Sequence, residues 1–328
     1  MRLNDPADVA MNAPEITWPD GGVLAPIVLF VHSRADHTRR TLEALKANTV
    51  ASQSDLFVFC DAARNEREAQ AVHDVRSVVD ALTGFRSITV VSRQENFGLA
   101  RSIIDGVTAV VERYGRVIVL EDDLVTAPHF LAFMNEALDR YAGVRQVWHV
   151  NGWTYPIESG LGDAPYFTPV MECWGWATWA DRWCHFRKDP GDLLGRWTPA
   201  MVHRFNIEGG YDYWGDIRRN AHGTMRTWAV FWYATLFERD GLCLSPNRSF
   251  VENIGIDGSG ANSGSRDIYA AVRKSGTMPE RWPAEPVADR RAFEAVRDFL
   301  LSQRPPLWRR VARRVKWAGK RIGRMRAG

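Results

Sequence analysis

The strongest constraint in this chain is a fourfold alternation between residues 26 and 141. Short runs rich in β-branched and apolar residues, Pro26–His32, Asp55–Cys60, Ser87–Ser92 and Arg116–Leu120, are predicted to be buried strands. Between and after them lie helical stretches, Asp36–Asn48, Glu66–Leu82, Gly98–Tyr114 and Thr126–Tyr141. Asp36 is a candidate N-cap with Leu42 and Leu45 on one face; Ala69, Val72, Val75 and Val79 form the inner stripe of the second helix. Pro128 falls in a first turn, where a missing N–H costs little. Strand–helix alternation predicts a parallel sheet with helices on both faces, and ligands then bind at the carboxyl ends of the strands. The loops at that edge are His32–Asp36, Cys60–Asn65, Arg93–Gly98 and Glu121–Val125.

Beyond about residue 145 the alternation stops. Ten of the 14 tryptophans lie between Trp148 and Trp232, among glycine–aromatic clusters. This half reads as mixed structure packed on the same sheet. Met278–Pro286 then leads to a predicted helix near Asp289–Leu301, and Arg304-Pro305-Pro306 interrupts the chain. The expected organisation is a loose arm at 1–22, one α/β domain at 23–270 split at 145/146, a linker and helix at 271–303, and a tail at 304–328.

Charge separates the tail from the rest. Residues 304–328 hold ten basic residues and no acidic one, so the other 303 residues carry −7 although the chain sums to +3. An acidic body argues against nucleic-acid binding, which asks for a basic face. In the tail, Trp308, Val311, Val315, Ala318, Ile322 and Met325 recur at helical spacing with Arg and Lys on the other face. That pattern predicts an amphipathic helix lying on an anionic membrane surface. No stretch is apolar for long enough to span a bilayer, and the first residues lack the apolar run of a secretory signal. Cys60, Cys173, Cys184 and Cys243 have no metal-site spacing and read as reduced core residues. The expected location is the cytoplasm, peripheral on the inner face of the cytoplasmic membrane.

The residues that carry chemistry are Glu121-Asp122-Asp123, delivered to the ligand edge by Val117-Ile118-Val119-Leu120. On an extended chain Glu121 and Asp123 face one side and Asp122 the other. Three adjacent carboxylates repel unless a cation or strong donors neutralise them. Hard oxygen ligands suit Mg2+ or Mn2+, either of which can also hold a diphosphate.

With Ala127-Pro128-His129-Phe130 following, this segment resembles the metal-binding segment of GT-A glycosyltransferases, near N-acetylglucosaminyltransferase I and its bacterial relatives. Val31-His32-Ser33-Arg34 with Thr38 resembles the first nucleotide loop, and Phe59-Cys60-Asp61 the second strand end. Asn96-Phe97-Gly98-Leu99-Ala100-Arg101, Val147–Trp153, Cys173–Trp183 and Pro246 to Gly260 continue the likeness in order. The resemblance spans roughly 25–265 and implies a Rossmann-like domain with a mixed sheet. It further implies a metal-dependent, inverting transfer from a nucleotide sugar, UDP-linked by preference, to a cell-surface polysaccharide or lipid-linked acceptor. Asp123 would bind Mn2+ or Mg2+, Asp122 would sit near ribose or metal, and Glu121 near the donor sugar. His32 and Arg34 would line the first nucleotide loop, with Arg34 on base or phosphates. Asp61 would accept from the base edge, and Asn96 and Arg101 would line the same pocket.

Two departures stand out. Inverting transfer needs a carboxylate base, and the animal enzymes carry an aspartate where this chain reads Thr227-Trp228-Ala229-Val230-Phe231-Trp232. Asp216, Asp212 and Glu172 are the acidic candidates in the acceptor half. The histidine that relatives often carry after the glycine-rich turn is also missing from Gly258–Gly264. Trp153, Trp174 and Trp176, in glycine-containing turns, are the tryptophans expected to stack on an acceptor sugar. A catalytically impaired glycan-binding relative and a sugar nucleotidyltransferase are the alternative readings; His32–Asp36 lacks the glycines the latter needs.

Overall fold

The computed structural model describes residues 24–158, 160, 162–258, 268–269, 272 and 275–304. Four strands, β1 (Ile27–Val31), β2 (Asp55–Cys60), β3 (Ser87–Ser92) and β4 (Arg116–Glu121), alternate with α1 (Ala35–Lys46), α2 (Ala69–Asp80) and α3 (Gly98–Tyr114). After β4 come β5 (Leu124–Thr126), α4 (Phe130–Tyr141), β6 (Val147–Asn151), β7 (Tyr166–Thr168) and β8 (Trp176–Trp179). Five helices follow: α5 (Ala180–Trp183), α6 (Pro190–Arg196), α7 (Pro199–Phe205), α8 (Tyr213–Ala221) and α9 (Ala229–Phe237). Then come β9 (Leu242–Ser245), β10 (Val251–Asn253) and α10 (Arg290–Ser302).

The main sheet runs β3-β2-β1-β4-β8-β6-β9-β7. Strands β1 to β4 pair in parallel, β8 is antiparallel to both β4 and β6, and β7 is antiparallel to β9. The chain is thus an α/β domain with a mixed sheet, as expected. Alternation along each inner strand divides the core. Ile27, Leu29, Leu56, Val58, Ile118 and Leu120 face α1, α2 and α4. Val28, Phe30, Phe57, Phe59, Val117 and Val119 face α3, α9 and most of the tryptophans. The tryptophan-rich half adds β6 to β9 to the same sheet and packs tryptophans on both of its faces.

Several boundaries differ from the expected ones. The fourth helix begins at Phe130 and not at Thr126, because Leu124–Thr126 is taken into an antiparallel ribbon with Val251–Asn253. Asp36 does not cap α1; it lies in the first turn and pairs with Arg39. Residues 66–68 form a 3-10 turn before α2. Cys184 is exposed and Cys173 half-buried, so of the four free cysteines only Cys60 and Cys243 are core residues. The helix expected near 289–301 is α10, capped by the Asp289 carboxylate on the N–H of Ala292, with Phe293, Val296 and Leu300 buried on the sheet. Among the described residues no helix is long and apolar enough to cross a membrane. The 1–22 arm and residues 305–328 of the basic tail lie outside the described residues.

Candidate active site at the carboxyl edge of the parallel strands

Strand β4 ends where its apolar run meets Glu121, and the next two residues form a tight turn into β5. The turn is held from both sides. Thr41 of α1 donates its hydroxyl to the Asp122 carbonyl (2.9 Å), and the N–H of Ile254 donates to the Asp123 carbonyl (2.9 Å). The second bond exists because β10 pairs with β5, Asn253 opposite Leu124, which carries the chain back over the acidic turn.

Arg34 ends the loop after β1 and precedes α1 in a non-helical conformation. One terminal nitrogen, Nη2, bonds both to Asp122 Oδ1 and to Asp123 Oδ2, the latter at 2.8 Å. The other, Nη1, is buried and has no hydrogen-bond partner. Burial alone would lower the guanidinium pKa, but the two carboxylates raise it above its ordinary value. Burial pushes Asp122 up from the usual carboxylate range, with Arg34 opposing. At Glu121 burial, then Asp123 and Asp122, push the carboxyl up to about 8, with the Arg34 charge opposing.

Gly255 roofs the pair. A Cβ there would stand 2.2 Å from Asp123 Oδ2 and 3.1 Å from Arg34 Nη1. The fold therefore brings Arg34, Asp122 and Asp123 together, with Arg34 bonded directly to the two carboxylates.

The oxygens of Asp122 and Asp123 are the donors a hard divalent cation prefers, and they already hold a cation, the guanidinium. Among the described residues no three His, Cys, Asp or Glu side chains cluster closely enough to form a metal cage. A site with one or two carboxylates fits Mg2+ or Mn2+ when phosphate oxygens complete the shell.

Beside this pair the second and third loops meet. Asp61 was expected to accept from a nucleobase. Instead its Oδ1 accepts from the N–H groups of Ala62 and Phe97, and its Oδ2 from Gly98 N–H and Asn96 Nδ2, at 2.9–3.1 Å. A carboxylate offers about four acceptor sites, so Asp61 is saturated by the start of α3. Gly98 itself sits at φ +71, a conformation that favours glycine. Asn96 spends its other amide hydrogen on the Ala62 carbonyl (2.7 Å), which His32 Nε2 also faces at 3.1 Å. These three residues build the wall of the edge. Arg101 stacks over Phe97 (3.6 Å) and lies 3.4 Å from Asp105. Arg93, which the sequence reading missed, stacks over the same ring at 3.9 Å and keeps a buried, unpartnered Nε. Its place at the end of β3 was the available signal.

The three acidic candidates of the second half separate clearly. Asp212 caps α8, accepting from Gly215 N–H, and is largely exposed. Asp216 is ion-paired with Arg219; burial raises its carboxyl, with the arginine opposing. Among the described residues Glu172 has no cationic partner. Its Oε1 is buried without a hydrogen bond, and burial pushes the carboxyl up to about 8, against a hydrogen bond from Tyr155. Its backbone is pinned to β6: the N–H donates to Asn151 Oδ1 (2.8 Å), and the carbonyl accepts from His149 Nε2 (2.9 Å). Trp232 Nε1 donates to His149 Nδ1 (3.1 Å), which leaves the ring proton on Nε2. At the next residue, Cys173, burial first and then the charges of Glu121 and Glu172 raise the thiol.

Of the tryptophans expected to meet an acceptor, Trp176 is corrected to the core: it is 1% exposed and stacks on Trp228 and His149. Trp153 is also buried, at 2%. Trp174 alone of the three keeps some exposure, set edge-on against Trp153 (4.7 Å) and Tyr269 (5.2 Å).

No protein-family model matches the chain, and no curated protein matches it. Among solved structures it is similar to a mannosyltransferase from Pyrobaculum calidifontis in complex with GDP-Man and Mn2+, at 14% identity over 67% of this chain and 72% of that one, TM-score 0.37. It is similar to mouse xyloside xylosyltransferase 1 at 11% identity over 66% and 82%, TM-score 0.35. A third likeness is to a putative nucleotide-diphospho-sugar transferase from Desulfovibrio desulfuricans, at 10% identity over 48% and 64%, TM-score 0.28.

Proposed function

We propose that this chain is an inverting glycosyltransferase that takes its sugar from a nucleotide diphosphate donor, UDP-linked by preference. The observation that carries the reading is the Asp122–Asp123 pair. It stands at the carboxyl edge of four parallel strands, is bridged by a single guanidinium and is roofed by Gly255. Such an edge is where α/β sheets bind nucleotides. When bound, Mn2+ or Mg2+ on Asp123 and Asp122 would stabilise the charge that develops on the diphosphate.

The chemistry left to the chain is positional and acid–base. The acceptor oxygen forms a bond to the anomeric carbon as that carbon's bond to the diphosphate oxygen breaks, and the electron pair leaves with the nucleoside diphosphate. The acceptor proton needs a base. Glu172 is the one of the three acidic candidates not committed to a cap or an arginine, and one of its carboxylate oxygens is buried without a hydrogen bond. We assign it that proton. Glu121, the last residue of β4, stands next to the pair and is assigned to the donor sugar. Arg93 and Arg101 flank the nucleotide side, and Trp174 offers the acceptor an apolar face.

A lipid-linked or cell-surface glycan acceptor and contact of residues 304–328 with an anionic membrane belong to the same reading. Truncation at Pro305 should move the protein out of the membrane fraction.

The decisive experiment is release of nucleoside diphosphate from a panel of UDP- and GDP-sugars, with and without Mn2+, for wild type and Asp123→Ala. Mn2+-dependent release lost in the variant supports the transferase. Binding of sugar without any donor turnover supports a glycan-binding protein.

A further inference from the structure

Arg34 occupies an unusual position for a residue expected to hold phosphate. Its Nη2 bridges Asp122 and Asp123, while Nη1 is buried under Gly255 with no acceptor. One positive charge faces two negative ones, so the pair is only half neutralised. Without a metal cage among the described residues, a divalent cation alone must compete with an arginine already bonded to both carboxylates. A nucleoside diphosphate changes the balance twice over. It supplies the missing metal ligands, and it offers the guanidinium a bidentate partner of its own. Arg34 is free to make the exchange: it lies in the loop ahead of α1, on a long side chain whose backbone is fixed by Thr38, whose N–H and hydroxyl both donate to the Arg34 carbonyl (2.9 Å each).

We propose that Arg34 is the resident counter-ion of this site and is exchanged on loading, leaving Asp123 for the diphosphate when a divalent cation and a nucleoside diphosphate bind together. The proposal rests on the nucleotide-sugar reading and adds a rule of assembly to it. Cation and nucleotide must bind with positive coupling, because each removes a cost the other would meet alone. It also assigns Arg34 an opposing effect on the two ligands, since the guanidinium competes with the cation and assists the diphosphate.

The test is Mn2+ binding to the full chain, read as free Mn2+ by electron paramagnetic resonance, without and with saturating UDP or GDP. Wild type is expected to bind Mn2+ weakly alone and about tenfold or more tightly with the diphosphate. Arg34→Gln should bind Mn2+ alone about tenfold more tightly than wild type, with the coupling to the diphosphate largely lost. Arg34→Lys, which keeps the charge but not the bidentate fork, should bind Mn2+ alone about as weakly as wild type and show weaker coupling to the diphosphate. Melting curves provide a second readout: Mn2+ alone should raise the Tm of Arg34→Gln by more than that of wild type. If Arg34→Gln binds Mn2+ no better than wild type while wild type shows coupling, the exchange is wrong and the nucleotide-sugar reading stands. If wild type binds no Mn2+ with either diphosphate, both fall.

Discussion

The α-carbon of Gly255 packs so closely on Asp123 that a methyl group there would stand 2.2 Å from the carboxylate Oδ2. The obstacle is a side chain fixed by Arg34, so relief means moving the ion pair. Gly255→Ala should therefore weaken nucleoside diphosphate binding in the presence of Mn2+ by about tenfold or more, equivalent to at least ~1.4 kcal/mol. Isothermal titration checks this, with a melting curve to show that the fold survives.

Asp61 should prove to be structural. It accepts four hydrogen bonds, two of them from the first N–H groups of α3. Asp61→Asn replaces an acceptor oxygen with a donor facing an N–H group, so it should destabilise nearly as much as Asp61→Ala, by about 3 kcal/mol or more in urea unfolding. A variant with wild-type stability but no nucleotide binding would return Asp61 to the nucleobase.

Glu172 ties activity and stability to pH in a recognisable way. Its carboxyl is pushed up to about 8 chiefly by burial. Below about pH 4.5 it is protonated in the folded and unfolded chain alike. Between about 4.5 and 8 the unfolded chain loses the proton and the folded chain keeps it, so stability falls as pH rises through that window. Glu172→Gln should remove this slope from the Tm-versus-pH curve. The same substitution should lower donor turnover by roughly 10²–10⁴ and abolish the rise in rate towards pH 8, while leaving nucleotide binding intact.

His149 acts in the opposite direction. Burial lowers its ring to about 4, with the bonds to the Glu172 carbonyl and Asn151 opposing. The ordinary imidazole titrates near 6.5, so its contribution is complete above that value and is lost as pH falls towards 4. His149→Ala strands the Trp232 N–H and opens a cavity beside Trp176. A loss of about 3 kcal/mol or more is expected, and the acid limb of the stability curve should flatten.

The parallel half of this fold was legible because β1 is apolar throughout, β2 is apolar after Asp55, β4 is apolar between Arg116 and Glu121, and the intervening helices carry clear 3.6-residue stripes. The second half was not. Its strands run three to five residues and pair out of chain order, with β8 inserted between β4 and β6. In α9, Val230 through Leu236 are all buried, so no polar face marks a period. The acidic turn was readable because three adjacent carboxylates are rare and stand after an apolar run. Arg34 was readable as a site residue but not as their partner, since 88 residues separate it from Asp122. Glu172 could be named but not ranked, because the choice depends on Arg219 holding Asp216 and α8 using Asp212 as a cap.

The ribbon of β5 and β10 joins residues 124–126 to residues 251–253, across more than a hundred positions of chain. Contacts of such separation close late in folding, because the loop entropy must be met before the pairing repays it. The roof over the aspartates is thus supplied by chain that lies beyond the tryptophan-rich segment. A chain that ends before residue 251 lacks both β10 and Gly255, and its acidic turn has no roof. Competence to hold a nucleotide then becomes a report that the whole domain, and not its first half, has finished folding.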